Sequence, residues 1–247
     1  MESELRPFWN RFFALNEKFG LFLILLICVP RFLLVLQANV SGNYSSIGIV
    51  MVASAVAPFL FLSKHGREQI GIIKPKRYNS LLIGLLLGLI FSFLLFYIGK
   101  GFFGNTYQNW YNYIGRSYHI SPTLTGYNKA MLFVIMASTG MIFSPIGEEL
   151  FFRGIVHVSF SKSLGDKKAS LIDSTAFALT HISHFGLVYL SGVWKLLLLP
   201  TLIWIVSMFF ASMIFFRIKK QSGSIWGAVI CHAGFNLGMI YCIFYLL

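Results

Sequence analysis

The chain has 247 residues, of which 57% are hydrophobic and only 11% are charged. A soluble domain carries about 25% charged residues, so this composition excludes an ordinary soluble protein. The net charge of +12 does not indicate a nucleic-acid partner, because most Lys and Arg residues fall in short connections between apolar runs. That placement is typical of membrane topology signals. We therefore expect a multi-pass integral protein of the cell membrane, in contact with membrane lipids.

Repeated apolar runs of about 17–20 residues predict an all-α fold, a polytopic bundle of transmembrane helices. The fourth run has about 32 residues, more than the roughly 20 that a straight span needs. Ser144-Pro145 is the natural place for a kink in it, because proline disrupts the preceding helical turn. The seven predicted spans are 19–37, 44–63, 80–99, 129–160, 169–185, 196–216 and 225–246.

The connections between these spans differ in charge from one side of the membrane to the other. When they are assigned to alternate sides, fourteen Lys and Arg residues fall on one side and five on the other, with Arg31 counted among the five. Because cytoplasmic connections are enriched in Lys and Arg, the N-terminus is predicted to be cytosolic. The longest outer connection, 100–128, is rich in Phe, Tyr and Trp and is predicted to lie along the headgroup layer.

Three ionisable residues interrupt the fourth apolar run: Glu148, Glu149 and Arg153. Each costs roughly 2.5–3.5 kcal/mol to insert, so this segment is expected to face protein or a water-filled cavity. Four-residue spacing places Glu149 beside Arg153 as an ion pair. Glu148 points about 100° away around the helix and is left without that partner.

Further polar residues lie in later spans: His181 in the fifth, and His232 and Asn236 on one face of the last. At 1.5 Å per helical residue, Glu148, His181, His232 and Asn236 all lie about 18–24 Å from the nearest cytosolic Lys in sequence. Three helices thus place polar groups in one layer inside the bilayer. Such intramembrane groups indicate a functional site.

These residues form three ordered motifs: Glu-Glu-x-x-x-Arg, Phe-x-x-x-His and His-x-x-x-Asn. In this order on membrane helices, they resemble the CPBP (CAAX protease and bacteriocin-processing, or Abi) intramembrane proteases, relatives of the Ras-converting enzyme. The resemblance covers about half the chain. It divides the chain into N-terminal membrane helices with the aromatic outer loop, 1–128, and a CPBP-like catalytic helical core, 129–247. Asp173 departs from the family pattern and is expected to pair with Lys167 or Lys168.

The resemblance implies an endopeptidase that hydrolyses a peptide bond of a membrane-associated protein or peptide. Glu148 would be the general base that takes a proton from water, and His181 would hold the same water. His232 and Asn236 would donate hydrogen bonds to the oxyanion, a role that suits neutral donors. Glu149 and Arg153 would fix the helix and the local field.

Metal-dependent hydrolysis is the alternative mechanism, because a glutamate with two histidines is a known zinc-ligand set. Glu148, His181 and His232 would be the ligands. However, H-E-x-x-H is absent from the sequence and an amide such as Asn236 is a poor zinc ligand. No cofactor is therefore expected, with zinc left open.

Two other functions are compatible with the sequence. Intramembrane carboxylates and histidines also relay protons in ion-coupled carriers, but no inverted repeat is evident here. A non-catalytic bacteriocin-immunity or secretion accessory protein could keep the same scaffold. The intact motifs favour the protease.

Overall fold

A computed structural model describes residues 3–121 and 123–247, and most of these residues are helical. The all-α prediction is therefore confirmed. Short 3-10 helices at Trp9–Arg11 and Arg116–Tyr118 accompany the longer elements. The α-helices are α1 Glu17–Ser41, α2 Ser45–Phe61, α3 Lys64–Gln69, α4 Asn79–Phe103, α5 Trp110–Gly115, α6 Gly126–Glu148, α7 His157–Thr180, α8 Leu198–Ser222 and α9 Ile225–Tyr245.

The long helices make the chain an integral membrane protein. Within the described part of the chain, five helical stretches are long and apolar enough to cross a membrane, and α2 is a shorter apolar helix. One of the five, Gly126–Thr180, has 55 residues and combines α6 and α7. Each of the seven predicted spans thus has a helical counterpart, while the number of crossings and their orientation stay predictions.

The long α6–α7 stretch changes its geometry twice. A π-helical segment, Glu149–Val156, joins the two helices directly after Glu148. Isolated π turns within helices occur frequently at functional sites. Pro145 lies inside α6, whereas the backbone leaves helical geometry at Gly165, where φ is 76° and ψ is 161°. A positive φ of this kind suits glycine, which has no Cβ.

Helix α7 ends at Thr180, five residues before the predicted end of the fifth span at 185, and a small β-hairpin follows it. Strand β1, Leu187–Leu190, pairs antiparallel with β2, Val193–Leu196. The two turn residues, Ser191 and Gly192, both have positive φ, as two-residue hairpin turns of type I′ require. His181 is thus the first residue after the helix.

Helices α4 and α9 pack closely through glycines. A Cβ added to Gly88 would overlap the backbone oxygen of Cys231, and one added to Gly234 would overlap that of Leu85. Small residues allow such close backbone contact in membranes. This contact positions α9, the helix that carries His232 and Asn236.

The aromatic outer connection does not lie wholly along the membrane surface as predicted. Trp110, Tyr111 and Tyr113, on α5, are buried inside the protein, whereas Phe102 and Tyr107 are exposed. The ring of Trp110 stacks on Trp204 of α8 at a centroid distance of 5.9 Å. Most of these buried rings therefore stabilise the bundle rather than anchor a loop to the headgroups.

Candidate active site

A cavity of about 590 Å³ opens among α1, α2, α6, α7, α8 and α9. Its wall is mostly apolar, as in most ligand sites, with a few polar groups at defined places. Four of the six predicted site residues line it: Glu148, His181, His232 and Asn236. The polar groups that the sequence placed in one layer thus meet in a single cavity.

Glu148, at the end of α6, is held by two neighbours that the motifs did not include. Arg31 Nη2 donates to Glu148 Oε1 at 2.9 Å, and Ser144 Oγ donates to the same oxygen at 2.7 Å. The other oxygen, Oε2, has no hydrogen-bond partner within residues 3–121 and 123–247. One carboxylate oxygen is therefore fixed by the protein, and the second is available to another molecule.

His181 follows the last residue of α7 and faces that second oxygen. Its Nδ1 lies 2.7 Å from the carbonyl oxygen of Phe177, and its Nε2 lies 3.9 Å from Glu148 Oε2. Trp204 Nε1 donates to the backbone oxygen of His181 and helps fix the turn. Because a carbonyl only accepts, Nδ1 carries the proton, and Nε2 of the neutral ring is an acceptor.

His232 makes its polar contact away from Glu148. Its Nδ1 lies 2.7 Å from Glu149 Oε1, and its ring stacks on Phe215 at a centroid distance of 4.7 Å. The other carboxylate oxygen of Glu149 lies 3.2 Å from Arg153 Nε. Arg153, Glu149 and His232 therefore form a buried chain of polar contacts that ends at the cavity.

Arg153 is 0% exposed, and both aromatic rings and the carboxylate of Glu149 surround its guanidinium group. Its guanidinium carbon lies 4.2 Å from the centroid of the Phe177 ring and 5.4 Å from that of Phe215. Its nitrogens make no hydrogen bond with any part of the chain that the structure describes. Cation–π contacts are strong when desolvated, so they stabilise this buried charge.

Asn236 lies one turn beyond His232 on α9. Its Nδ2 donates to the backbone oxygen of Gly140 on α6 at 2.9 Å. An amide has two N–H donors, so one donor remains that Gly140 does not use. The contact also connects the two helices that carry Glu148 and Asn236.

Arg31 is the site residue that the sequence analysis missed. It was counted as an outer topology signal, but it is only 4% exposed and bonded to Glu148. The available signal was a charged residue inside an apolar run, which marks a functional site by default. Ser144, which was noted only for the Pro145 break, is the second missed partner of Glu148.

The predicted partner of Asp173 was wrong. Its carboxylate bonds to His157 Nδ1 at 2.7 Å, rather than to Lys167 or Lys168. His157 Nε2 also lies 3.5 Å from Asp166 Oδ1. The change of chain direction at Gly165 brings these residues together. Spacing along a single helix could not indicate this contact.

The proposed zinc ligands do not form a compact set. Among the described residues, no group of three His, Cys, Asp or Glu side chains is placed to hold one metal ion. His232 directs Nδ1 to Glu149, and Glu148 is bonded to Arg31. As arranged, these side chains fit a network of ion pairs and hydrogen bonds better than a shared metal site.

The fold and site define a helical integral membrane protein with a Glu- and His-lined cavity inside the bundle. A family model described as type II CAAX prenyl endopeptidase Rce1-like matches residues 130–238. The match supports the assignment of this region to the CAAX protease (CPBP) family, and the region contains all six residues that the motifs identified. The chain matched none of the curated proteins and none of the solved structures with which it was compared.

Proposed function

We propose that this protein is an intramembrane endopeptidase that hydrolyses a peptide bond with a water held between Glu148 and His181. The observation that carries the proposal is the 3.9 Å separation of Glu148 Oε2 and His181 Nε2. Both atoms are hydrogen-bond acceptors when Glu148 is ionised and His181 is neutral. They do not bond to each other, but one water can donate a proton to each and bridge them.

The chemical step follows from this arrangement. The water oxygen attacks the carbonyl carbon of the peptide bond while Glu148 takes one of its protons, giving a tetrahedral oxyanion. When the oxyanion collapses, the C–N bond breaks and the nitrogen takes the proton from Glu148. The products are a carboxylic acid and an amine, and Glu148 returns to its ionised form.

Asn236 is the proposed donor to the oxyanion, through the amide hydrogen that Gly140 does not accept. His232 can share this role only as an imidazolium. Its Nδ1 proton goes to Glu149, so Nε2 carries a proton only when the ring is doubly protonated. The motif was expected to supply a neutral donor, but the contact with Glu149 leaves the neutral ring without a proton on Nε2.

The substrate is proposed to be a membrane-associated protein or peptide. The cavity lies within the helical bundle, and its apolar wall suits a chain that arrives from lipid rather than from water. The matched family model is named for CAAX prenyl substrates, so a prenylated peptide is the first substrate to test.

The test is hydrolysis of a quenched fluorescent prenylated peptide by the purified protein in lipid nanodiscs. Wild type is expected to cleave it, while Glu148→Gln and His181→Ala lose at least about 100-fold in kcat, as general-base variants typically do. Glu68→Gln and His65→Ala are matched controls outside the cavity and should retain full rate. Cleavage unchanged by both cavity substitutions would end the proteolytic assignment.

Metal-free hydrolysis is a separate part of the proposal and needs its own measurement. Full rate after prolonged dialysis against a strong chelator is expected, because the proposed water is held by protein acceptors. Loss of rate that added zinc restores would instead support the Glu148, His181 and His232 metal site.

The rival functions predict different results with the same preparation. If the protein were a carrier, the same purified protein in sealed liposomes would move ions or protons across the bilayer, and it would not cut the peptide. A non-catalytic accessory protein would do neither and would tolerate Glu148→Gln. Peptide cleavage that depends on Glu148 contradicts both.

A further inference from the structure

Arg31 is the single Lys or Arg among the described residues that line the cavity. It lies 14 residues from the start of α1 at Glu17, about 21 Å along the helix axis. A cation at such depth is costly and marks a functional position unless packing explains it. Glu148 is its one ion-pair partner within residues 3–121 and 123–247.

The guanidinium of Arg31 is incompletely bonded. It has five N–H donors, and Nη2 gives one of them to Glu148 Oε1 at 2.9 Å. The buried Nε has no hydrogen-bond partner among the described residues. A guanidinium normally binds a carboxylate through two parallel N–H donors, so Arg31 retains unused capacity for an anion.

Glu148, in contrast, does not depend on Arg31 alone. Ser144 Oγ donates to the same Oε1 at 2.7 Å, from one turn earlier on α6. If Arg31 moved to another anion, Ser144 would still hold Glu148 in place. A substrate anion can therefore replace Glu148 as the partner of Arg31 while Ser144 keeps Glu148 in position.

We propose that Arg31 binds a carboxylate of the substrate and releases Glu148 for catalysis by that exchange. The proposal rests on the proposed function, since it assigns a substrate feature to the same cavity. An extended residue spans at most about 3.5 Å, so an anion bound at Arg31 lies within a few residues of the cleaved bond. Arg31 is therefore the residue that selects peptides carrying a carboxylate, C-terminal or from Asp or Glu, within a few residues of the scissile bond.

Binding tests this inference without catalysis. The inactive Glu148→Gln protein, in nanodiscs, is titrated with three fluorescently labelled prenylated peptides: one with a free C-terminal carboxylate, its C-terminal amide, and the amide with Asp as its last residue. Because Arg31 has no competing carboxylate in this variant, the acid is expected to bind about 10- to 100-fold more tightly than the amide. The Asp peptide separates a side-chain carboxylate from a terminal one as the source of the anion.

The double variant Arg31→Gln with Glu148→Gln is the decisive comparison, because it leaves no unpaired charge that could prevent folding. It should bind the acid and the amide equally. Arg11→Gln with Glu148→Gln is the matched control, since Arg11 is exposed outside the cavity, and it should keep the preference. Equal binding of all three peptides to Glu148→Gln, or a preference that survives Arg31→Gln, would overturn the inference.

Hydrolysis by the otherwise wild-type protein separates this inference from the proposed function. Faster cleavage of the acid than of the amide, lost in Arg31→Lys, supports both, because lysine keeps the charge but not the two-donor geometry. Equal cleavage of the acid and the amide overturns the inference and leaves the protease assignment intact. If neither peptide is cleaved, the proposed function fails for these substrates, and the binding comparison still decides whether Arg31 receives a carboxylate.

Discussion

The imidazole of His232 and the carboxylate of Glu149 are 2.7 Å apart, although 83 positions separate the two residues in sequence. Glu149 also contacts Arg153, so one buried carboxylate serves a cation on one side and an imidazole on the other. Glu149 therefore has two separable effects: it neutralises Arg153, and it positions the ring of His232 through Nδ1. Substitutions can measure each effect.

Glu149→Gln is expected to lower the free energy of unfolding by about 3–5 kcal/mol, because it leaves Arg153 charged, buried and without its anion. Adding Arg153→Met removes that unpaired charge, so the double variant should recover a large part of the stability. Its kcat should stay low, with KM unchanged, because His232 still lacks its carboxylate. Thermal unfolding and peptide hydrolysis measure the two effects. Recovery of kcat together with stability would mean that Glu149 is only a structural partner of Arg153.

Asn236→Ala is expected to reduce kcat by about 10²–10³, the usual effect of removing one oxyanion donor. It also removes the bond to Gly140, which contributes about 1 kcal/mol to stability. Asn39→Ala is the control for loss of stability, because Asn39 lies outside the cavity lining, donates a 2.8 Å bond to the Ser183 backbone and accepts one from Tyr44. Both variants should melt at reduced temperatures, with Asn39→Ala reduced at least as much, while only Asn236→Ala loses turnover. Equal activity in both would contradict the oxyanion role.

The contacts that could be predicted from the sequence are those that follow from residue spacing within one helix. The contact between Glu149 and Arg153 and the shared face of His232 and Asn236 both depend on four-residue periodicity. The common depth of the polar groups was predicted by counting residues from the cytosolic ends of the helices, because an α-helix rises by a constant 1.5 Å per residue.

The contacts that the sequence did not reveal join distant parts of the chain. Arg31 and Glu148 are 117 positions apart, and no periodicity connects two helices. The pairing of His157 with Asp173 joins the helices on either side of the predicted connection at 161–168, and spacing within one span does not indicate it. The hairpin lies in the predicted connection between the fifth and sixth spans, where the sequence analysis predicted no strand.

The ion pair between Asp166 and Lys220 is expected to make stability depend on acid pH. The bond from Lys220 Nζ, 2.7 Å long, holds the pKa of Asp166 below its ordinary value of 3.8. A carboxylate whose pKa is lowered by folding adds stability above its unfolded pKa and loses it as the pH falls through the folded pKa. The gain is about 0.2–1 kcal/mol, because the pair is exposed.

Lys220→Gln should therefore lower the melting temperature slightly at pH 6, and this difference should shrink when the pH is lowered below 3.8. Lys168→Gln is the control, since Lys168 is exposed nearby and makes no ion pair within the described residues. Thermal unfolding of the three proteins at both pH values measures the effect. A Lys220→Gln difference that persists undiminished in acid would show that Lys220 stabilises the fold without Asp166.

Close packing of α4 on α9 leads to a prediction about Gly88. An added methyl group would overlap the backbone oxygen of Cys231, and a backbone cannot move aside as a flexible side chain can. Gly88→Ala is therefore expected to destabilise the protein by about 1–3 kcal/mol and to shift α9. Because α9 carries His232 and Asn236, the rate of hydrolysis should fall as well.

Gly101→Ala is the control, since Gly101 lies on the same helix with open space around it. This variant should be neutral or slightly stabilising, because alanine favours helix. Melting temperature and hydrolysis rate of the two variants, compared in the same nanodiscs, measure this difference. Equal behaviour would mean that α4 and α9 are not in close contact at Gly88.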